Sequence, residues 1–273
     1  MSLCIGEAIA NAVNLGVDKL DAEVLLYTAL NKVRTYLMAF PEQILTAEQS
    51  ENYSNWISRR LDGEPVAYIV GVREFWSLPI KTTNVTLIPR ADTEVLVETV
   101  LDQFDASPLA VVDLGTGTGA IALALKSERP SWQMLGVDRI SEAIELARTN
   151  AASLRLDVSF EVSSWCDALA DSSLDVIVSN PPYIDCKDHH LNEGDVRFEP
   201  KSALVSGEHG LADIKHISHE AVRCLKPNGM VFFEHGWTQA EAVQQILTDV
   251  GFIQVRTVKD YGDNDRVTMG VLP

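Results

Sequence analysis

No apolar run in the sequence approaches the roughly 18 to 20 residues needed to cross a bilayer, which excludes a helical membrane span. Paired cysteines are also missing. Cys4, Cys166, Cys186 and Cys224 are scattered and none forms a CxxC pair, so neither a zinc site nor a disulfide framework is indicated. Positive charge is scarce: 22 Lys and Arg stand against 39 Asp and Glu, a formal charge of -17. Sequence-independent binding to nucleic-acid phosphate draws on Lys and Arg, so stable nucleic-acid binding is not expected. The opening residues, MSLCIGEAIA, lack a cationic segment followed by a long apolar one. A soluble cytoplasmic protein is the expectation. What is present is ordinary globular composition, 46% hydrophobic and 22% charged over 273 residues. That excludes a chain disordered as a whole and leaves room for one large domain or two.

The pattern changes near residue 72. Before it, apolar residues recur at helical spacing, as in Leu26, Ala29, Leu30 and Val33 within a helix expected over Asp21 to Phe40, with Asp21 as its cap. A second helix is expected over Thr46 to Leu61, ended by Asp62-Gly63 and Pro65. Residues 1–72 thus read as a small helical domain and 73–90 as a β connector. Residues 91–273 read as the main domain, opened by a helix that begins around Asp92 and Glu94 and runs to about Phe104. Beyond Pro108 strands and helices alternate. Strands are expected at Leu109–Leu114, Gln133–Val137, Val158–Val162, Leu174–Val178 and Met230–Glu234, with a closing hairpin of Phe252–Val258 and Arg266–Val271. The intervening helices include one over Ser141 to Ala152 capped by Ser141, and one over Leu211 to Leu225 stopped by Pro227 and Gly229. This order predicts an α/β fold with a doubly wound, mainly parallel sheet. There is no internal repeat and no low-complexity segment.

Two motifs fall at strand ends. The first strand runs into Asp113-Leu114-Gly115-Thr116-Gly117-Thr118-Gly119. Glycines at alternate positions allow a sharp turn and let a ligand approach the backbone, at the sheet edge where such folds bind ligands. The spacing G-x-G-x-G is neither the dinucleotide fingerprint nor a P-loop, so phosphate cradling is disfavoured. Asp113 would repel a pyrophosphate and attract a cation such as a sulfonium, directly or through water. Asp138, closing the second strand, suits the two hydroxyls of a ribose. An adenosine-containing ligand without pyrophosphate fits both features, and S-adenosyl-L-methionine is one.

The fourth strand ends in Asn180-Pro181-Pro182-Tyr183. Two prolines fix φ and donate no hydrogen bond, and Asn180 before them is pushed toward an extended backbone. The result is a rigid corner suited to methylating a planar nitrogen. The Asn180 side-chain oxygen and the Pro181 carbonyl would each accept one N–H of the target group, orienting a weak nucleophile toward the methyl. Tyr183 would pack on the planar substrate. No strong base is needed, because the nitrogen sheds its proton after the methyl arrives.

Together these residues resemble the class I S-adenosylmethionine-dependent methyltransferases that act on planar nitrogens. Ile88-Pro89-Arg90-Ala91-Asp92-Thr93-Glu94, Arg197-Phe198-Glu199-Pro200, and Ala203-Leu204 through Gly210-Leu211 narrow the match. With them the chain resembles the bacterial release-factor glutamine methyltransferases (the HemK or PrmC family) over nearly its whole length. The resemblance implies a Rossmann-like seven-stranded domain with a small N-terminal helical bundle that docks the release factor. It implies transfer of a methyl group to N5 of the glutamine in the Gly-Gly-Gln loop of peptide chain release factors. Carried over by position, Gly115, Thr116, Gly117, Thr118 and Gly119 would line the methionine part of the cofactor. Asp138 would hold the ribose, Trp165 would flank the adenine, and Asn180 would meet both cofactor and amide. Pro181, Pro182 and Tyr183 would complete the glutamine pocket. Ser164 stands where an acidic residue is often found before the aromatic.

Other chemistries compete for the same tetrad. It would also seat a flipped adenine of DNA or rRNA, or a glutamine of a ribosomal protein; the acidic balance weighs against nucleic acid. A non-catalytic release-factor binder is a further reading. The histidines, including His216 and His219 on one helical face, lack a carboxylate-rich set, so no metal site is expected. Arg90, Arg197 and the polar loop Asp185 to Asp195 stay open between structural and substrate roles.

Overall fold

The computed structural model describes residues 3–273. The chain divides into two compact units: Met1–Val72 with Asn192–Phe198, and Arg73–Leu191 with Glu199–Pro273.

The smaller unit carries α1 (Ile5–Asn14), α2 (Lys19–Ala29), α3 (Arg34–Ala39), α4 (Ala47–Leu61) and α5 (Val66–Val70). Ile5, Leu25, Leu26, Tyr53 and Ile57 meet in its core. The Thr46 hydroxyl accepts from Gln49 N–H while the Gln49 side chain accepts from Thr46 N–H, a reciprocal cap that starts α4. The helix expected over Asp21 to Phe40 is two helices, broken at Asn31, whose φ is +51°. Its cap is Asp18, accepting from Leu20 N–H at 2.7 Å, and not Asp21. Asp21 is instead taken by Arg60 Nε at 2.7 Å, and Arg60 Nη1 reaches Asp195 at 3.0 Å. That second contact is within the unit, since Asn192–Phe198 belongs to it.

The larger unit begins with a two-stranded sheet, β1 (Val72–Phe75, whose first residue closes the smaller unit) and β2 (Leu78–Lys81). A 3-10 turn at Ala91–Thr93 leads into α6 (Glu94–Gln103). Then follow β3 (Ala110–Leu114), α7 (Ala120–Glu128), β4 (Gln133–Asp138), α8 (Ser141–Leu154), β5 (Ser159–Val162) and β6 (Leu174–Ser179). Two single turns, α9 (Lys201–Leu204) and α10 (Gly207–Gly210), precede α11 (Ala212–Cys224), β7 (Leu225–Glu234), α12 (Ala240–Asp249), β8 (Ile253–Lys259) and β9 (Asp265–Val271). The seven strands β3 to β9 lie in the order β5-β4-β3-β6-β7-β9-β8, parallel except for β9.

The strands are apolar on both faces because helices cover both. Val111, Val176 and Val178 point into one core with Leu96, Leu123 and Ile144. Val112, Leu114 and Ile177 point into the other with Ile214, Ile217, Val243 and Leu247. Residues alternate between the cores because the side-chain period of a strand is two. Full burial of one such side chain contributes about 1.5–3 kcal/mol.

Two local expectations give way. Ser141 does not cap α8; Ile140 stands at the cap, and the Asp138 carboxylate accepts its N–H at 2.9 Å. The fifth parallel strand starts at Leu225, five residues before Met230, and accommodates Pro227 through a register shift opposite Leu174 and Val176. No helix among the described residues is long and apolar enough to cross a membrane.

Candidate active site

Strand order reverses between β3 and β6: from β3 the chain moves outward to β4 and β5, then returns to the other side. Ligands of such sheets bind outside the carboxyl ends at this switch point. Leu114 pairs with Ser179 there, and Ser179 Oγ donates to the Leu114 carbonyl at 2.7 Å. The glycine turn and the tetrad therefore leave adjacent strand ends.

A cleft opens between them. Gly115, Thr116, Gly117, Thr118, Asp138, Trp165, Asn180 and Pro182 all line it, as do Thr93, Arg90 and Ser164. Gly119, Pro181 and Tyr183 do not line it. Gly115, Gly117 and Gly119 have φ of +73°, +54° and +82°, the region that favours glycine. A Cβ on Gly119 would sit 3.2 Å from both Ala147 Cβ and Phe160 Cζ, so this glycine lets α7 pack on α8 and β5. On Gly117 a Cβ would meet only Thr86, at 3.8 Å, so its protein neighbours do not demand glycine and the space belongs to the cleft. Trp165 lies across Gly115, where a Cβ would come 3.1 Å from the indole.

Asp138 is fixed at the end of β4. Its Oδ2 accepts Gly117 N–H at 3.0 Å and its Oδ1 accepts Ile140 N–H at 2.9 Å. Each oxygen keeps a lone pair, enough for a ribose diol. The donor set suits an adenosyl cofactor with a short tail: open glycine backbone, a carboxylate for hydroxyls, an indole for a planar base, and no lysine placed for a pyrophosphate.

Asp113 departs from its expected role. It is fully buried and absent from the cleft wall, so direct contact with a ligand cation is ruled out. Its Oδ2 accepts from Thr116 Oγ1 at 2.6 Å, bracing the turn from behind, while Oδ1 has no partner. Burial raises its pKa to about 7, against the pull of the Thr116 hydroxyl.

Around the tetrad, Asn180 Nδ2 donates to Thr93 Oγ1 at 3.2 Å. The Tyr183 hydroxyl turns to Glu234 Oε1 at 3.4 Å, and burial raises the tyrosine's pKa. Gln239 Nε2 donates to the Tyr183 carbonyl at 3.0 Å. Glu234, at the end of β7, is fully buried, and burial pushes its pKa up to about 7 against Thr93 and Arg266. Arg90 is ion-paired with buried Glu199, which also accepts Ile88 N–H at 3.0 Å. Glu199 thus fastens the segment that carries Thr93. Arg197 belongs to the helical unit and stacks on Phe198 at 5.0 Å. Thr93, Glu199, Glu234 and Gln239 were not singled out individually from the sequence; Thr93 and Glu199 lie within the runs that carry the family resemblance. Glu234 carries one signal of its own, an acidic residue at the end of an apolar parallel strand.

The sheet order, the switch-point cleft and the glycine turn define a class I methyltransferase. Residues 105–260 match the family model described as "Methyltransferase domain", and residues 8–71 match the "PrmC N-terminal domain". A release factor glutamine methyltransferase of Shewanella oneidensis is 50% identical over 98% of this chain and 96% of its own length. One of Escherichia coli is 48% identical over 97% and 96%. A solved methyltransferase of Pyrococcus furiosus shares the fold at 18% identity, with a TM-score of 0.55 over 80% of this chain and 98% of its own. The chain belongs to the release factor glutamine methyltransferase family.

Proposed function

We propose that this protein transfers a methyl group from S-adenosyl-L-methionine to the side-chain amide N5 of the glutamine in the Gly-Gly-Gln motif of peptide chain release factors. One observation supports this most: Asn180 lines the same cleft as Gly115 to Thr118 and Asp138. A side chain fitted to hold an amide thus shares walls with residues fitted to hold the cofactor.

The cofactor, when bound, supplies an electrophilic methyl on a positively charged sulfur. The chain's residues do the rest. Gly115 to Thr118 and Asp138 would hold the methionine and ribose parts, and Trp165 would cover the base. Asn180 donates Nδ2–H to Thr93, so its Oδ1 is the atom left to accept an N–H of the target amide. The Pro181 carbonyl accepts the other. These two contacts would fix the orientation of the nitrogen, which replaces a bimolecular encounter by a held geometry. Both acceptors would stabilise the positive charge that develops on the nitrogen as the C–N bond forms and the sulfur–methyl bond breaks, its electron pair staying on the sulfur. The nitrogen then loses one proton to water and the amide is restored, carrying one methyl group.

The helical unit is the proposed dock for the release factor, because transfer itself uses residues of the larger unit alone. The formal charge of -17 supports a protein substrate over DNA or rRNA. The test is transfer of labelled methyl from S-adenosyl-L-methionine to an unmodified release factor, its Gln→Ala variant in the Gly-Gly-Gln loop, and duplex DNA. Label on the wild-type factor alone is expected. Equal label on both factors, or label on DNA, overturns the proposal.

A further inference from the structure

Pro181 and Pro182 carry no N–H, so their stretch of backbone can be held only by its carbonyls. On the methyl-transfer reading given above, the Pro181 carbonyl faces the target amide and is not free to serve as an anchor. Resting on that reading, we infer that Gln239 is a positioning residue. It anchors the corner two residues further on, by gripping the Tyr183 carbonyl, and so steadies the Pro181 carbonyl for the target amide.

Gln239 stands just before α12 and closes three hydrogen bonds, all to backbone. Its Nε2 donates to the Tyr183 carbonyl at 3.0 Å and to the His209 carbonyl at 3.1 Å. Its Oε1 accepts from Gly236 N–H at 2.9 Å. A backbone carbonyl only accepts and a backbone N–H only donates. The end of the carboxamide that meets each neighbour is therefore fixed, and no titratable group decides it. Both amide hydrogens are used, and together they tie the last residue of the tetrad to α10 and to the turn after β7.

The gripped carbonyl shares a peptide plane with Ile184 N–H, which donates to the Leu204 carbonyl at 2.9 Å. That plane is thus pinned at both edges. Gly210 makes room for the approach: its φ is +87°, and a Cβ there would fall 2.0 Å from the Tyr183 oxygen. On the other side of the prolines, Asn180 Nδ2 is held by Thr93 Oγ1. The corner is therefore fixed before and after the stretch that has no donors. Gln239, His209 and Gly236 do not line the cleft, so a lost grip should reach the reaction through the tetrad backbone and leave the cofactor site intact. A purely structural Gln239 would serve only the turn into α12, through Gly236 N–H.

The test uses full-length Gln239→Glu and Gln239→Ser. Glutamate keeps the acceptor for Gly236 N–H and suits a helix N-terminus, but it loses both donated bonds. Serine is a favoured residue at a helix start and is too short to reach Tyr183. Four quantities are measured: kcat and KM with an unmodified release factor, S-adenosyl-L-methionine binding by calorimetry, melting temperature, and NMR solvent exchange of Ile184 N–H without cofactor. Gln239→Glu should lose about 10- to 100-fold in kcat, with cofactor affinity and melting temperature close to wild type and faster exchange at Ile184. Should the carboxylate unfold that variant, the uncharged Gln239→Ser decides by the same readings. Wild-type kcat, unchanged Ile184 exchange, a loss of cofactor affinity as large as the loss in kcat, or a loss confined to KM would overturn the inference. If the wild type itself labels no release factor, the functional reading fails instead, and Ile184 exchange still decides whether Gln239 holds the corner.

Discussion

The turn after β3 and the corner after β6 end neighbouring strands, one made of glycines at positive φ and the other of two prolines that fix φ. The glycine turn removes side chains so that backbone reaches a ligand. The proline corner removes backbone freedom, and on the proposed function this aims one side chain, Asn180. Each is backed by a buried acid, Asp113 behind the turn through Thr116 and Glu234 behind the corner through Tyr183. A binding wall and an aiming wall can therefore be built at one strand junction by opposite backbone devices with the same kind of brace.

The comparison breaks first at Asn180. Asn180→Ala should lower kcat about 100- to 1000-fold while cofactor affinity, measured by calorimetry, stays near wild type. If affinity falls as far as kcat, the corner is part of the binding wall and the division of labour is wrong. Asp138→Ala should do the reverse. Losing the carboxylate for Gly117 N–H, Ile140 N–H and the ribose should weaken S-adenosyl-L-methionine by about 10- to 100-fold, with kcat at saturation changed far less.

Within the turn, two glycines should separate. Gly119→Ala meets Ala147 and Phe160 and takes the strained φ as well, so it should cost about 2 kcal/mol or more in denaturant unfolding. Gly117→Ala should cost about 1 kcal/mol, yet weaken cofactor binding more than Gly119→Ala does. The smallest effect concerns the braces. Burial raises Asp113 to about 7, whereas an unfolded aspartate titrates near about 4. Between those values the folded state binds more protons than the unfolded one, so stability falls as pH rises through that window and levels off above it. Melting temperature from about pH 5 to about pH 8 should decline more steeply in the wild type than in Asp113→Asn. Parallel curves would mean that Asp113 is ionised throughout.

The order of elements was legible because hydrophobic period and strand-helix alternation are local properties of the chain. The glycine turn and the tetrad were legible for the same reason, since both encode backbone geometry in consecutive residues. Contacts distant in sequence were not. Thr93 meets Asn180 across 87 positions and Tyr183 meets Glu234 across 51, and no spacing rule links such pairs in a single sequence. Local competition misled in two places. Asp18 and Asp21 are both plausible caps three residues apart, and tertiary pairing with Arg60 settles which one caps. Ser141 looks like a cap, but the N–H groups of Ala143 and Ile144 donate to the Ile140 carbonyl and the Ser141 hydroxyl turns to Glu142. Asp113 misled for a different reason: a carboxylate at a strand end reads as a ligand, and only its full burial turns it into a brace.

The smaller unit is discontinuous, joining Met1–Val72 to Asn192–Phe198. A protein engineer who cut the chain after Val72 would not obtain a clean second half. Residues 73–273 alone would carry Asp195 without Arg60, its partner at 3.0 Å, and would leave Asn192–Phe198 stripped of the helices it packs with. Such a fragment should be readily clipped by protease in that stretch, only nine residues beyond Tyr183. A usable minimal version therefore needs this seven-residue segment replaced as well as the first 72 residues removed.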